Sequence, residues 1–203
     1  RGILEKHGQQ LGLLRSGSDR EEFGAVYTQK FPRQPATARP AESGPIQPRY
    51  ETALRKKIGV VVAGSAGERI QSSAGMFIES AALAGLHCTQ KNDNPVTQGS
   101  GFSLAEICIS PTEIYYTGID HPDVVICASK EGLAELNEKG LFARLTPSTV
   151  LILDSSLEKP ETAAEVYRLP FRSLCGGEKA AAAALAFYLQ LSRIFPFPAF
   201  DDL

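Results

Sequence analysis

From Lys57 onward the chain alternates short apolar, β-branched runs with segments whose apolar residues recur every three or four positions, the pattern of a layered α/β domain. Ile58-Gly-Val-Val-Val-Ala63 is a continuous apolar run, as expected of a strand buried on both faces. Gly64-Ser-Ala-Gly67 turns the chain. Ile70, Ala74, Phe77, Ile78, Ala81 and Ala82 then follow at helical spacing up to Gly85, a residue suited to ending a helix. Further strands are predicted over 86–90, 104–110, 113–117, 123–128 and 150–154, with an edge strand over 165–169 before Pro170. The stretch 130–139 reads as a short helix closed by Gly140, and 180–194 as an alanine-rich helix apolar on most of its surface and therefore buried. The spacing around Ser110-Pro-Thr-Glu113 predicts a tight antiparallel hairpin, whereas the first strand, turn and helix open like a parallel βαβ unit. The expected fold is a three-layer α/β/α domain with a mixed, mainly parallel sheet, preceded by an extended N-terminal arm.

The arm, residues 1–56, has a different texture from the domain, 57–203. Five prolines fall between Pro32 and Pro48, and a residue without an amide donor and with a fixed φ suits neither a helix nor a sheet interior, so this stretch should run extended as a linker or strap. One short helix is expected over 19–27, capped by Ser18 or Asp19. Residues 1–57 hold 11 Lys and Arg against 6 Asp and Glu, and the remainder 10 against 17, so a basic arm precedes an acidic domain. The arm has no dense Lys/Arg run with interleaved aromatics and no nucleic-acid-binding motif accompanies it, which favours docking on an acidic surface of its own domain or of a partner subunit over nucleic acid. No stretch approaches the roughly 18 consecutive apolar residues of a membrane span, and no secretory pattern follows Arg1. The four cysteines, Cys88, Cys108, Cys127 and Cys175, are scattered without the close spacings that hold zinc or iron–sulfur clusters. Three of them lie in apolar segments and read as reduced thiols, which favours a reducing cytoplasm.

Candidate chemistry is sparse. The Gly64–Gly67 turn between a strand and a helix is a usual place for an anion, because unpaired helix amides point outward there. It is only G-x-x-G, however, with neither a dinucleotide fingerprint nor a Walker sequence, and Glu68 itself satisfies the helix dipole. Tight helix-to-sheet packing is the stronger reading of this turn. The second candidate is the polar loop Lys91-Asn-Asp-Asn-Pro-Val-Thr-Gln-Gly-Ser-Gly101 between two strands, where α/β domains place ligands; a plain surface turn competes evenly with that reading. His7, His87 and His121 form no set with a nucleophile and a carboxylate. Asp154-Ser155-Ser156 at a strand end reads as a cap for the next segment.

Taken in order, the motifs from Lys57 onward resemble the γ subunit or γ domain of the 2-oxoacid:ferredoxin oxidoreductases, the pyruvate synthase and 2-oxoglutarate synthase type. The carriers are Gly64-Ser-Ala-Gly-Glu-Arg-Ile70, Ser73-Ala-Gly-Met-Phe-Ile-Glu-Ser-Ala-Ala-Leu-Ala-Gly-Leu, the loop Asp93-Asn-Pro-Val-Thr-Gln-Gly-Ser-Gly with Ser103-Leu-Ala-Glu-Ile-Cys-Ile-Ser110, His121-Pro-Asp-Val-Val-Ile126, Thr149-Val-Leu-Ile-Leu-Asp-Ser-Ser156 and the helix 180–194. Ala66 and Arg69 replace glycines of the family turn, Glu68 a glutamine, and Gln98 an arginine. The resemblance implies a non-catalytic γ component of a complex that decarboxylates a 2-oxoacid to an acyl-coenzyme A and reduces ferredoxin. Thiamine diphosphate, magnesium and iron–sulfur clusters would sit in the α, β and ferredoxin-like subunits, with no cofactor resident in this chain. It further implies that coenzyme A could approach Gly64, Ser65, Gly67 and Arg69 of the turn, or Asn94, Gln98, Gly99 and Gly101 of the loop. The competing readings are a stand-alone α/β module binding a nucleotide or an acyl carrier, and a structural partner protein without catalysis.

Overall fold

The computed structural model describes residues 47–94 and 101–201, and the fold is that of the unit Ile46–Leu203. The helix expected over 19–27, most of the proline-rich strap, and Gln98 and Gly99 lie outside the described residues.

Six strands form one sheet. β1 (Ile58–Ser65) leads through α1 (Ile70–Leu83) to β2 (His87–Asp93), which doubles back as β3 (Phe102–Ser110). A connection leads to β4 (Val124–Cys127), α2 (Lys130–Glu138), a short 3-10 turn (Phe142–Arg144), β5 (Val150–Asp154) and β6 (Glu165–Leu169). The chain closes with α3 (Phe171–Cys175), α4 (Gly177–Ser192) and α5 (Pro198–Asp201). The strand order is β2-β3-β1-β4-β5-β6. β1, β4, β5 and β6 pair in parallel, while β3 runs antiparallel to both β1 and β2. The sheet is thus mixed and mainly parallel, as expected, and β6 is an edge. β2 runs in the same sense as β1, so the βαβ opening exists, with β3 inserted between its two strands.

The strand predicted over 113–117, and with it the hairpin at Ser110–Glu113, does not form. A strand needs a free neighbouring edge, and both edges of β3 are already taken, by β1 and by β2. The residues Ile114, Tyr115 and Thr117 have strand-like character, yet they lie in an irregular connection with Tyr115 88% exposed.

The alternation along the central strands splits the core into two halves. Val60, Val62, Ile107, Ile126 and Ile152 face α1, α4 and the C-terminal segment, and Val61, Ala63, Val125, Leu151 and Leu153 face α2 and the 3-10 turn. This gives the three layers. α1 presents Ile70, Ala74, Phe77 and Ala81 as one buried stripe, and it ends where Gly85 takes φ 75° and Leu86 N–H returns to Ala81 O at 3.0 Å. α2 starts at Ser129, whose hydroxyl accepts from Gly132 N–H at 3.3 Å. Residues 49–54, counted with the arm on their composition, strap the far edge of the body: Arg49 N–H reaches Leu83 O at 2.7 Å, Ala53 N–H reaches Ile194 O at 2.8 Å, and Leu54 joins the core.

Phe77 is the hub of the larger half, fully buried with its ring 5.4 Å from that of Phe195 and 6.3 Å from that of Phe200. Phe77→Ala should cost about 3–5 kcal/mol in a urea unfolding titration, because its three aromatic neighbours, Phe195, Phe200 and Tyr188, cannot all close over the cavity.

Candidate functional site

Every parallel strand ends on the same edge of the sheet, and the loops leaving those ends build a rim. The β1–α1 turn, the start of α2, the stretch after β5 and the start of α3 meet there. Gly132 is required by that meeting: a Cβ on it would lie 2.6 Å from Gly64 N and 2.7 Å from Ala63 C, backbone atoms that cannot swing aside. Gly64 is in turn crowded by Ile70, so packing against both neighbours accounts for its lack of a side chain.

Arg172 organises the rim. Its backbone N–H donates to Asp154 Oδ2 at 2.7 Å, and its guanidinium donates to Ala128 O at 3.1 Å and pairs with Glu68 Oε1 at 2.7 Å. Glu68 turns its other oxygen to Ser65 N–H at 3.3 Å, and the Ser65 hydroxyl donates to Glu131. That bond, then one from its own amide, holds the Glu131 carboxyl below the usual carboxylate range. Arg69 occupies the N-cap of α1 at φ 53°, the left-handed region a non-glycine residue rarely adopts, and its Nε lies 3.4 Å from Glu178 with both side chains largely exposed.

Asp154 is 2% exposed. Burial pushes its carboxyl up, but the amides of Arg172 and Ser156, the Ser156 hydroxyl and the Arg172 charge outweigh this and hold it low. It caps as the sequence suggests, though across to α3 as well as within its own turn. Burial also pushes the thiols of Cys88 and Cys127 up to about 12, which keeps them protonated. All four cysteines are free, and among the described residues no three His, Cys, Asp or Glu side chains gather to hold a metal ion.

The two segments singled out in the sequence are brought together. Ala66 N–H donates to Gly101 O at 2.9 Å, and Ser65 pairs with Phe102, so the β1–α1 turn and the end of the β2–β3 loop share the rim. Lys139 fixes the base of that loop, reaching Asp93 at 2.9 Å and Glu135 at 3.1 Å beside the Phe102 ring. Asn94 follows β2 directly, and Gly101 takes φ 93°. Sequence reasoning missed Arg172, Glu131 and Glu178, which reach the turn only through tertiary contacts from distant segments.

The electrostatic result is a rim that answers its own charges. Glu68 takes the Ser65 amide that a bound phosphate would seek, and four carboxylates (Glu68, Glu131, Asp154, Glu178) stand against the guanidinia of Arg69 and Arg172. The turn therefore does not fit a diphosphate as it stands. Arg69, 68% exposed, is presented outward beside its partner Glu178.

Because the Asp154 carboxyl titrates lower in the fold than in the unfolded chain, its contribution is complete at neutral pH and is lost as the pH falls through its folded value. Asp154→Asn should destabilise the chain by about 1–3 kcal/mol at pH 7 in urea titrations, with the gap to the unsubstituted chain narrowing below about pH 4. A gap constant with pH would refute the charged role.

A family model described as pyruvate ferredoxin/flavodoxin oxidoreductase matches residues 59–201. Among solved structures, the γ subunit of a keto/oxoacid ferredoxin oxidoreductase from Geobacter sulfurreducens aligns with TM-score 0.57 and 18% identity over 71% of this chain and 83% of that one. A pyruvate oxidoreductase subunit from Thermotoga maritima aligns with TM-score 0.58 and 16% identity over 73% and 83%. A 2-oxoglutarate:ferredoxin oxidoreductase chain from Magnetococcus marinus, solved with 2-oxoglutarate, coenzyme A and succinyl-CoA bound, aligns with TM-score 0.54 and 23% identity over 67% of this chain but 24% of its own length. No curated protein sequence matches. The three structures share the fold with this chain, and the family match, which spans the sheet from β1 to the closing helix, shows that the chain belongs to the pyruvate ferredoxin/flavodoxin oxidoreductase family.

Proposed function

We propose that this chain is the γ component of a multi-subunit 2-oxoacid:ferredoxin oxidoreductase and serves there as a positioning and assembly element. The observation that carries this reading is the extent of the match: the body spans most of a free-standing γ subunit but only a quarter of a large oxidoreductase chain. On this reading α- and β-type subunits and a ferredoxin-like subunit supply thiamine diphosphate, magnesium and iron–sulfur clusters, ferredoxin accepts the electrons, and the complex works in the cytoplasm. When bound, thiamine diphosphate supplies the carbanion chemistry of decarboxylation and coenzyme A accepts the acyl group. This chain's own residues hold the rim: Arg172 and Glu68 fix the turn, and Arg69 offers one cation at its edge.

The complex isolated through a tag on this chain should contain the other subunits and reduce ferredoxin with a 2-oxoacid and coenzyme A, while the chain purified alone carries no stoichiometric iron or thiamine diphosphate. A tagged chain that brings down none of those subunits from its native source, or that holds stoichiometric iron when purified alone, overturns the reading.

Contact with coenzyme A belongs to the same proposal, through Arg69 and the loop containing Asn94, Gln98, Gly99 and Gly101. Arg69→Ala should raise the KM for coenzyme A about tenfold, the worth of one charge-assisted hydrogen bond, and leave decarboxylation of the 2-oxoacid unchanged. An unaltered KM in Arg69→Ala, Gln98→Ala and the double variant reduces both segments to scaffolding.

A further inference from the structure

The two ion pairs of the rim are built differently. In the first, Glu68 meets the Arg172 guanidinium with one oxygen at 2.7 Å and the Ser65 amide with the other at 3.3 Å, and Arg172 keeps Ala128 O at 3.1 Å as a second partner. The Glu68 side chain is only 15% exposed. The start of α4 closes over this pair, since a Cβ on Gly177 would come within 2.7 Å of Glu68 Oε1 and 3.1 Å of Arg172 Nη2. Several anchors in a shielded place make it a fixed part of the fold.

The second pair joins Arg69, at the N-cap of α1, to Glu178, in the first turn of α4. It has one contact, from Arg69 Nε to Glu178 Oε2 at 3.4 Å, and both side chains are 68% exposed, so its net strength is small. The backbone under it is nevertheless held. Ser73 donates to Arg69 O at 2.9 Å with both its amide and its hydroxyl, so the guanidinium moves by side-chain rotation alone. Glu178 stands at the start of a helix of sixteen residues, where the dipole favours a carboxylate whether or not Arg69 is beside it. Of the four rim carboxylates, Glu68 and Asp154 are each held by a backbone amide and Glu131 by the Ser65 hydroxyl; among the described residues only Glu178 has an exposed side chain as its sole partner.

We propose that Glu178 is an internal competitor for Arg69: it holds the guanidinium in the free chain, and a phosphate group of the ligand takes Arg69 by displacing it, while Glu178 turns to solvent. A phosphate brings more acceptor oxygens than the carboxylate it replaces, so the exchange runs towards the ligand. The proposal rests on the reading that coenzyme A meets Arg69, and it makes Glu178 a positioning residue that sets the strength of that contact. It is tested in the assembled complex by the KM for coenzyme A. Glu178→Gln should lower this KM about threefold, the worth of one exposed ion pair, and damage to the fold does not produce a gain of that kind. The difference from the unsubstituted complex should shrink as ionic strength rises and screens the pair. In the Arg69→Ala background Glu178→Gln should change nothing, whereas Glu178→Arg, which supplies a cation from the neighbouring helix, should restore part of the lost affinity. If Arg69→Ala raises the KM but Glu178→Gln leaves it the same or raises it, the competitor role is overturned and the Arg69 contact stands. An equal gain from Glu178→Gln with and without Arg69 also overturns the role, since the effect then belongs to the general charge of the rim. An unaltered KM in both single variants overturns the competitor and the coenzyme A contact together.

Discussion

The rim holds together through Arg172. One residue at the start of α3 reaches the ends of three strands: its amide meets Asp154, the last residue of β5, and its guanidinium meets Ala128 O beyond β4 and Glu68 in the turn after β1. A partly buried cation of this kind is stable because a carboxylate and a backbone carbonyl meet it, and each is fixed at the end of a different strand. The shape of the β1–α1 turn is therefore a property of the whole parallel half of the sheet. The turn's own four residues do not set it, which is why a glycine-poor version can keep Arg69 in a left-handed conformation.

Local pattern made the architecture legible wherever the pattern had a single physical cause. β5 and β6 occur where apolar and β-branched runs end at Asp154 and before Pro170, and α1 occurs where a buried stripe recurs at helical spacing. The 113–117 segment shows the limit, because strand propensity says nothing about whether an edge is free to receive the strand. The site was legible in outline and not in chemistry. The turn and the loop could be located from glycines and polar runs, and their shared rim follows from β3 lying beside β1. That Glu68 is answered by Arg172, more than a hundred residues later in the chain, left no trace in local spacing.

The two edges of the sheet divide the polar work of the chain. At the rim, carboxylates and guanidinia are satisfied by one another, so the side chains there hold their positions without a ligand. At the other edge the strap 49–54 satisfies the backbone of Leu83 and Ile194, but Arg55 and Arg193 project beyond it.

The insertion of β3 between β1 and β2 also orders events in time. As the ribosome delivers the chain, β1 emerges with no hydrogen-bonding neighbour, and α1 and β2 follow without supplying one, because β2 pairs only with β3. The β2–β3 hairpin closes locally, and its far strand then brings β1 its first partner; β4 arrives later to cover the other side. Until then β1, a strand of mostly apolar residues, has two open edges, the state in which an unpaired strand is most exposed to wrong pairing.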